Sequence, residues 1–297
     1  MKSLTSILQF IWKHPLASKN RIKAFRNFFS WQIGQVINRY PVLYPLVEDS
    51  VLLLEKGMAG ATGNIYTGLL EFDDMAFVLH ALKNEDLFAD IGANIGVYTI
   101  LAAKNVGARV VSVEPIPTTF FHLSNNIFLN GITKQVIQLP IGVGNENTML
   151  AFTNTIDSMN HVVPEIYSKT QEGVIEIEVK KLDDVFLNNI PVIMKMDIEG
   201  YEWPALNGAQ NLLASKQLQA IIIELNGCGK TFGFQDEDVH NLLLGYDFKP
   251  YAYNPFTRSF SLLNYFGKYN TIYIKDLNWA TKRVASSKKY KILDQFI

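Results

Sequence analysis

The 297-residue chain has a single cysteine, Cys228, so it forms no internal disulfide, and the paired Cys/His spacings of a zinc site are absent. This usage suits a reducing compartment, and the cytoplasm is the expected one. Neither sign of charge dominates: 27 Lys and Arg stand against 28 Asp and Glu, a formal net charge of −1. No overall field favours nucleic acid, and no nucleic-acid partner is expected. There is no run of about 18 uncharged apolar residues, so no membrane-spanning helix is expected. Internal repeats and low-complexity tracts are missing too. Apolar residues are abundant, 48% of the total, which is enough for a sizeable core.

Acids are absent from residues 1–47, which carry Lys2, Lys13, Lys19, Arg21, Lys23, Arg26 and Arg39. Leu4, Ile7, Leu8 and Ile11 recur at helical spacing, as do Ile22, Phe25, Phe29, Ile33 and Val36. Two amphipathic helices broken near Pro15 fit this pattern. They read as an accessory layer docked on the main domain; the other reading is weak peripheral contact with an anionic membrane surface, at its inner face. Lys2 and the short apolar stretch after it resemble a signal peptide. Thr5, Ser6 and Gln9 interrupt that stretch, however, and no small-x-small cleavage site follows.

From residue 51 onward β-type and helical patterns follow one another. "VLLL" (51–54) and "GNIYT" (63–67) read as short strands, and 71–82 as a helix in which His80 is a satisfied or surface residue. Strands are expected at 87–91, 109–114 and 135–140, then at 148–152 and 174–180 flanking a loop at 153–173. Further strands follow at 191–197 and 218–225, with edge strands beyond. Helices are expected at 96–105, from Pro117 to Asn130-Gly131, from Pro204 to about Ala214, and at 236–244. Alternation of this kind predicts a doubly wound, mostly parallel α/β sheet. The expected organisation is a basic helical extension (1–50), a main domain (51–276) and a basic C-terminal tail (277–297).

"LFADIGANIGVYTILAA" (87–103) ends its strand at Asp90 and turns through Gly92 and Gly96 into a helix. In a doubly wound sheet, ligands sit outside the carboxyl ends of the strands. Gly92 would let the backbone approach a ligand, Gly96 would let the helix start close to the strand, and the helix start would offer amides to an anionic group. Glu114 ends the next strand about 20 residues later, where a carboxylate can accept both ribose hydroxyls. An adenosine-containing ligand is therefore implied. The dinucleotide fingerprint GxGxxG is absent because position 94 is Asn, and Val97-Tyr98 is not the Lys-Ser/Thr of a phosphate loop. Asp90 would repel a pyrophosphate. S-adenosylmethionine, with an ammonium, a carboxylate and a sulfonium but no phosphate, matches the acids and the helix start.

"IMKMDIEGYEW" (193–203) places Asp197, Glu199 and Glu202 at another strand exit, and "IIIELNG" (221–227) adds Glu224 and Asn226. Clustered acids repel unless a cation offsets them: Lys195, the sulfonium or a divalent metal. Glu202 reads as a helix cap. His161, in the long loop, is a candidate to take a proton from an acceptor hydroxyl.

These segments, with "VEPIPTTFFHLSNNIFLNG", "LDDV" and "KMDIEGYEWPALNGAQNLL", resemble in order and spacing the FkbM family of S-adenosylmethionine-dependent methyltransferases, over roughly residues 60–250. The resemblance implies the seven-stranded class I methyltransferase fold, a Rossmann-like sheet, and O-methylation of a sugar, polysaccharide or secondary-metabolite hydroxyl. It implies a cofactor site at Asp90, Gly92, Ala93, Asn94, Gly96 and Glu114, with Asp197 beside it. Asp197 and Glu199 match the acids at the reaction site. The proton acceptor is left open between His161 and Asp197, with Glu199 orienting or neutralising. Two rivals remain: an NAD-linked oxidoreductase, and a non-catalytic adenosine-ligand module or membrane-surface adaptor on the same fold.

Overall fold

The computed structural model describes residues 4–38, 40–153, 162 and 173–297. Helices α1 (Leu4–Lys13) and α2 (Arg21–Ile37) are separated at Pro15 by a short 3-10 turn, and the Asn20 side chain caps α2 by accepting from the Lys23 amide at 3.1 Å. Ile11, Leu16, Ala24 and Phe28 bury into the same core as the main sheet, so the extension docks on the domain.

The hairpin β1 (Val42–Pro45)–β2 (Val51–Leu54) is latched to a later helix: Asn126 accepts from the Leu53 amide at 2.7 Å, and Asn130 from that of Val51 at 2.9 Å. Residues 63–67, expected as a strand, lie in helix α3 (Ala59–Thr67). The β-branched Ile65 and Thr67 suggest a strand, but tertiary contacts decide. A Cβ on Gly63 would overlap Leu70, Thr67 Oγ1 donates to the Gly63 carbonyl at 2.8 Å, and Asn64 Oδ1 receives the Leu70 amide at 2.8 Å. Helix α4 (Phe72–Ala81) buries both sides. His80 is buried, a core residue and not a surface one, and its Nδ1 shares a 2.7 Å hydrogen bond with the Tyr253 hydroxyl.

The main sheet then begins with β3 (Leu87–Ile91), α5 (Val97–Ile100, continued by a π-helical Leu101–Val106), β4 (Arg109–Val113), α6 (Pro117–Leu129) and β5 (Val136–Leu139). A three-stranded sheet of β6 (Gly142–Val143), β7 (Thr148–Thr153) and β8 (Val174–Lys180) interrupts it. Next come α7 (Leu182–Val185), β9 (Ile193–Met196), α8 (Glu202–Asn207), α9 (Gln210–Ala214) and β10 (Ala220–Glu224). The single helix expected from Pro204 is two, parted at Gly208, where a Cβ would overlap the Gly144 carbonyl oxygen. Helix α10 (Asp236–Gly245), β11 (Lys249–Asn254), β12 (Ser259–Leu262) and β13 (Asn270–Ile274) complete the sheet. Its order is β12-β11-β13-β10-β9-β3-β4-β5, with β9, β3, β4, β5 and β10 parallel. The doubly wound α/β fold is as expected, with β12 an eighth strand hairpinned onto the edge.

Alternation along the strands sorts side chains between two cores. Leu87, Ala89 and Ile91 face one and Phe88 the other. The last segment is not a loose tail: in α11 (Leu277–Ala285) Arg283 grips Asp86 at 2.8 and 3.2 Å, and the hairpin β14 (Lys291–Ile292)–β15 (Gln295–Phe296) buries Ile292, with Tyr290 and Ile297 beside it.

Candidate active site

After β3 the chain steps outward to β4 and β5, then returns to lay β9 on the other side of β3. The β3/β9 boundary is thus the switch point, where crossover helices diverge and leave a crevice at the strand exits. A cavity of about 250 Å³ lies there, lined from four neighbouring strands by Asp90, Glu114, Asp197 and Glu224.

On the β3–β4 side the acids are buried and hydrogen-bonded. Asp90 points to the same face of β3 as Phe88, where Thr99 of α5 donates its hydroxyl at 2.6 Å; Ser112 is 2.6 Å from that hydroxyl. Burial lifts Asp90 to about 6 against the Thr99 bond. Glu114 accepts the Ile116 amide on one oxygen at 3.0 Å and the Asn94 amide on the other at 2.9 Å. Burial pushes it up to about 7 despite both donors.

The turn corrects two expectations. A Cβ on Gly92, at φ +79°, would overlap the Asp197 carbonyl oxygen, and one on Gly96, at φ +92°, would meet Leu123 of α6 at 2.6 Å. The missing side chain of Gly92 makes room for the neighbouring strand exit rather than for a ligand. Nor are the amides of residues 92–96, just ahead of the helix start at Val97, free. Gly92 and Ala93 donate to the Val113 carbonyl, Asn94 to Glu114, Ile95 to the Asn94 side chain, and Gly96 to the Ala93 carbonyl. A turn whose five N–H groups are committed inside the protein cannot wrap a pyrophosphate, which counts against the dinucleotide rival.

On the β9–β10 side the acids crowd one another. Lys195, buried beside Asp90 in the sheet register, places Nζ 3.1 Å from Asp197 Oδ2 and 5.4 Å from the centre of the Tyr98 ring. Burial pulls this lysine down, but the Asp197 and Glu71 carboxylates outweigh it and hold its proton firmly. Glu199 sits at φ +54°, ahead of Gly200, whose Cα lies against the Cys228–Gly229 backbone. Burial, then the Asp197 charge, push Glu199 up to about 7. The same two causes raise Glu224, whose carboxylate accepts from Asn226 at 2.9 Å. One oxygen each from Asp197, Glu199 and Glu224 lies within 4.8 Å of the others, close enough to surround a single cation. Glu202 stands apart: it is buried and accepts the Ile198 and Gly200 amides at 3.2 and 3.3 Å, fixing the turn that carries Glu199.

The expected residues Asp90, Ala93, Asn94, Glu114, Asp197 and Glu199 all line the one cavity, as does Gly92. Gly96 lies behind it, and His161 lies outside the described residues. Among the lining residues given no site role by the sequence, Tyr98 donates its hydroxyl to Glu71 at 2.7 Å; Lys195, expected as the cation that offsets the acids, lines the cavity beside them. Tyr98 follows the Gly96 turn and was within reach of inspection; Glu71 precedes α4 and carries no strand-exit signal. Phe152 of the small sheet, Val162 bridged to it and Ile116 at the start of α6 pack together over the cavity.

The donor set suits S-adenosylmethionine: many carboxylates, one lysine and no amide nest favour a cationic ligand without phosphate. The described residues contain no helix long and apolar enough to cross a membrane.

Residues 90–250 match the family model described as Methyltransferase FkbM domain. The chain is similar to Hexuronic acid methyltransferase AglP of Haloferax volcanii, 26% identical over 176 residues, covering 58% of this chain and 67% of that protein. It is also similar to Methyltransferase sdnD of Sordaria araneosa, 25% identical over 169 residues, covering 46% of this chain and 65% of that protein. The chain thus spans about two thirds of each curated relative. Among solved structures, Precorrin-6y C5,15-methyltransferase of Geobacter metallireducens aligns with a TM-score of 0.42 and 12% identity, covering 78% of this chain and 98% of that one. Since the matched segment runs from the Asp90 exit past β10 and takes in more than half of the residues, the chain belongs to the FkbM methyltransferase family and is a methyltransferase that uses S-adenosylmethionine.

Proposed function

We propose that the protein transfers a methyl group to a hydroxyl oxygen of a sugar, polysaccharide or secondary metabolite. The observation that carries this is the single cavity in which the carboxylates of four adjacent strand exits converge. The similarity to a protein named as a hexuronic acid methyltransferase supports a sugar acceptor.

When bound, S-adenosylmethionine supplies an electrophilic methyl carbon on a positively charged sulfur. Asp90, Ala93, Asn94 and Glu114 would hold it, with Glu114 on the ribose hydroxyls: each of its carboxylate oxygens has a lone pair beyond the one its backbone donor takes. Gly92 and Gly96 serve by letting the turn close. A neutral hydroxyl is a poor nucleophile, so a side chain takes its proton as the new C–O bond forms. Of the expected acids, Glu199 suits this task better than Asp197. Asp197 is committed to the ion pair with Lys195 at 3.1 Å, whereas burial pushes Glu199 up to about 7, where it is poised to gain a proton near neutrality. Asp197 and Lys195 then position the acceptor, and the roof of Phe152, Val162 and Ile116 excludes water.

The test is a transfer assay with labelled S-adenosylmethionine against a panel of uronic acids, neutral glycans and phenols, with mass identification of the product. A methyl ether on a hydroxyl is expected. A methyl ester on a carboxylate, or a methylated nitrogen, sinks the O-methylation reading while leaving the methyltransferase assignment intact.

A further inference from the structure

Helix α2 has one apolar face more than its docking needs. Its inner face carries Ala24 and Phe28, the latter edge-on to Tyr66 of α3 at 5.0 Å. Asn27 donates to the Ile65 carbonyl at 3.2 Å, and Gln32 to the Tyr66 hydroxyl at 3.1 Å. On the opposite side Ile22, Phe29, Ile33 and Val36 are 85%, 53%, 59% and 81% exposed. Positions 22, 29, 33 and 36 recur with the helical period and draw one stripe along a helix about 25 Å long. Ile37, Tyr40 and Leu43 continue the exposed apolar surface beyond it. Where α2 meets the β1–β2 hairpin, a groove of about 240 Å³ opens, lined by Trp31, Gly34, Tyr40, Tyr44 and Lys56. A continuous exposed patch on this scale marks an interaction surface.

Charge distinguishes the occupants. Residues 1–47 hold seven Lys and Arg and no acid, although the chain as a whole is at −1. Arg26 lies within the stripe's spacing and is exposed, and Arg21 stacks on Trp12 at 4.1 Å. The Asp294 carboxylate of the C-terminal hairpin is taken by Lys23 at 2.6 Å and lies near Arg26, so a second copy packed on this face about a two-fold axis would bring two faces of net positive charge together with one such carboxylate each to offset them. An anionic lipid surface answers both features. The apolar stripe enters the boundary between headgroups and acyl chains, the basic residues meet lipid phosphates, and Trp and Tyr prefer that depth.

We infer that the outer face of α2 seats the protein peripherally on a bilayer rich in anionic lipid. Helix α3 stands between this face and the active-site cavity, to whose lining it lends Ala61 and Asn64. The surface thus lies one helix layer from the chemistry, and its role is independent of which acceptor is methylated.

Co-sedimentation of the full chain with vesicles tests this, comparing equal parts phosphatidylglycerol and phosphatidylcholine with phosphatidylcholine alone. Binding to the anionic vesicles is expected to be at least about tenfold stronger and to weaken with added salt. The double substitution Phe29→Ser/Ile33→Ser should weaken it by about tenfold or more, with the melting temperature and calorimetric affinity for S-adenosylmethionine unchanged. Arg26→Glu, which leaves the apolar stripe intact, should weaken binding severalfold and guards against a folding defect in the double variant. Wild-type protein that stays in the supernatant with both vesicles, or binds both equally, overturns the inference. So does a dimer in sedimentation velocity that the double substitution dissociates, which would give the face to a second copy.

Discussion

The two halves of the cavity use the same side chain in opposite ways. At the β3–β4 exits, Asp90 and Glu114 are buried, and each is fixed by donors from its own neighbourhood: the Thr99 hydroxyl, and the Asn94 and Ile116 amides. At the β9–β10 exits, Asp197, Glu199 and Glu224 are half-buried and repel one another around a single lysine. A carboxylate whose hydrogen bonds are already made costs little to hold in place and is ready to receive a ligand of fixed shape. Carboxylates that share too little positive charge are poised to change protonation. The first half is built for a constant ligand, the second for proton movement and for an acceptor that differs from one substrate to another.

The sharpest way to break this contrast is to disable the second half alone. Glu199→Gln keeps the size of the side chain and removes the proton acceptor. Single-turnover methyl transfer should fall by about 10²–10⁴-fold, while calorimetric affinity for S-adenosylmethionine stays within about threefold. In the unmodified protein the same rate should rise with pH and level off above about 7, where Glu199 has lost its proton. An unaltered rate in the variant would move the base away from Glu199 and leave His161 and Asp197 as the candidates.

The converse substitution tests the fixed half. Glu114→Gln replaces one of two accepting oxygens with a donor that opposes a backbone amide, so either the Asn94 or the Ile116 contact is lost along with the ribose acceptor. Affinity for S-adenosylmethionine should drop by about 10- to 100-fold, and the maximal rate at saturating cofactor should fall much less. Equal loss from both variants, in both binding and rate, would mean that the halves act as one unit.

The seam between them is Gly92. Ala at this position takes a left-handed backbone that strains a side chain, and its Cβ overlaps the Asp197 carbonyl at the exit of β9. Gly92→Ala should cost roughly 1–3 kcal/mol of stability from the backbone conformation alone, read as a lowered midpoint in urea. A variant as stable as the parent would show that the two exits are not held as closely as the glycine implies.

Legibility in the sequence follows the same division. Asp90, Glu114, Asp197 and Glu199 were readable because each lies in or just past a strand whose βα period is local, and the doubly wound rule sends all such ends to one side. The hydrogen-bonding state of the turn was not readable, since three of its five amides are taken by Val113 and Glu114 at the end of the next strand. The pairing of Tyr98 with Glu71 was hidden likewise, because Glu71 belongs to the layer before the sheet. Two elements misled for local reasons. Ile65 and Thr67 signal a strand inside α3, and the break between α8 and α9 at Gly208 answers to a carbonyl of Gly144 that no helical periodicity contains.

The smallest expected effect is also the most discriminating. Asp90 is lifted to about 6, and Glu114 and Glu199 to about 7, each primarily by burial. A carboxyl whose folded value lies above its unfolded one keeps its proton in the folded state after the unfolded chain has lost it. Stability therefore falls as pH rises through the window from about 4 to 7, and is highest below it as far as these groups are concerned. A cation entering the cavity lowers the same values and expels protons. Calorimetry of S-adenosylmethionine binding near pH 6.5, in buffers of different ionisation heat, should show release of a fraction of a proton, roughly 0.3–0.8 per site. Glu114→Gln should remove the larger share if the cofactor's charge rests on the fixed half, and Glu199→Gln the larger share if it rests among the crowded acids. Proton uptake instead of release would mean that the bound ligand makes the cavity more negative, and the cationic-ligand account of all these carboxylates would fail.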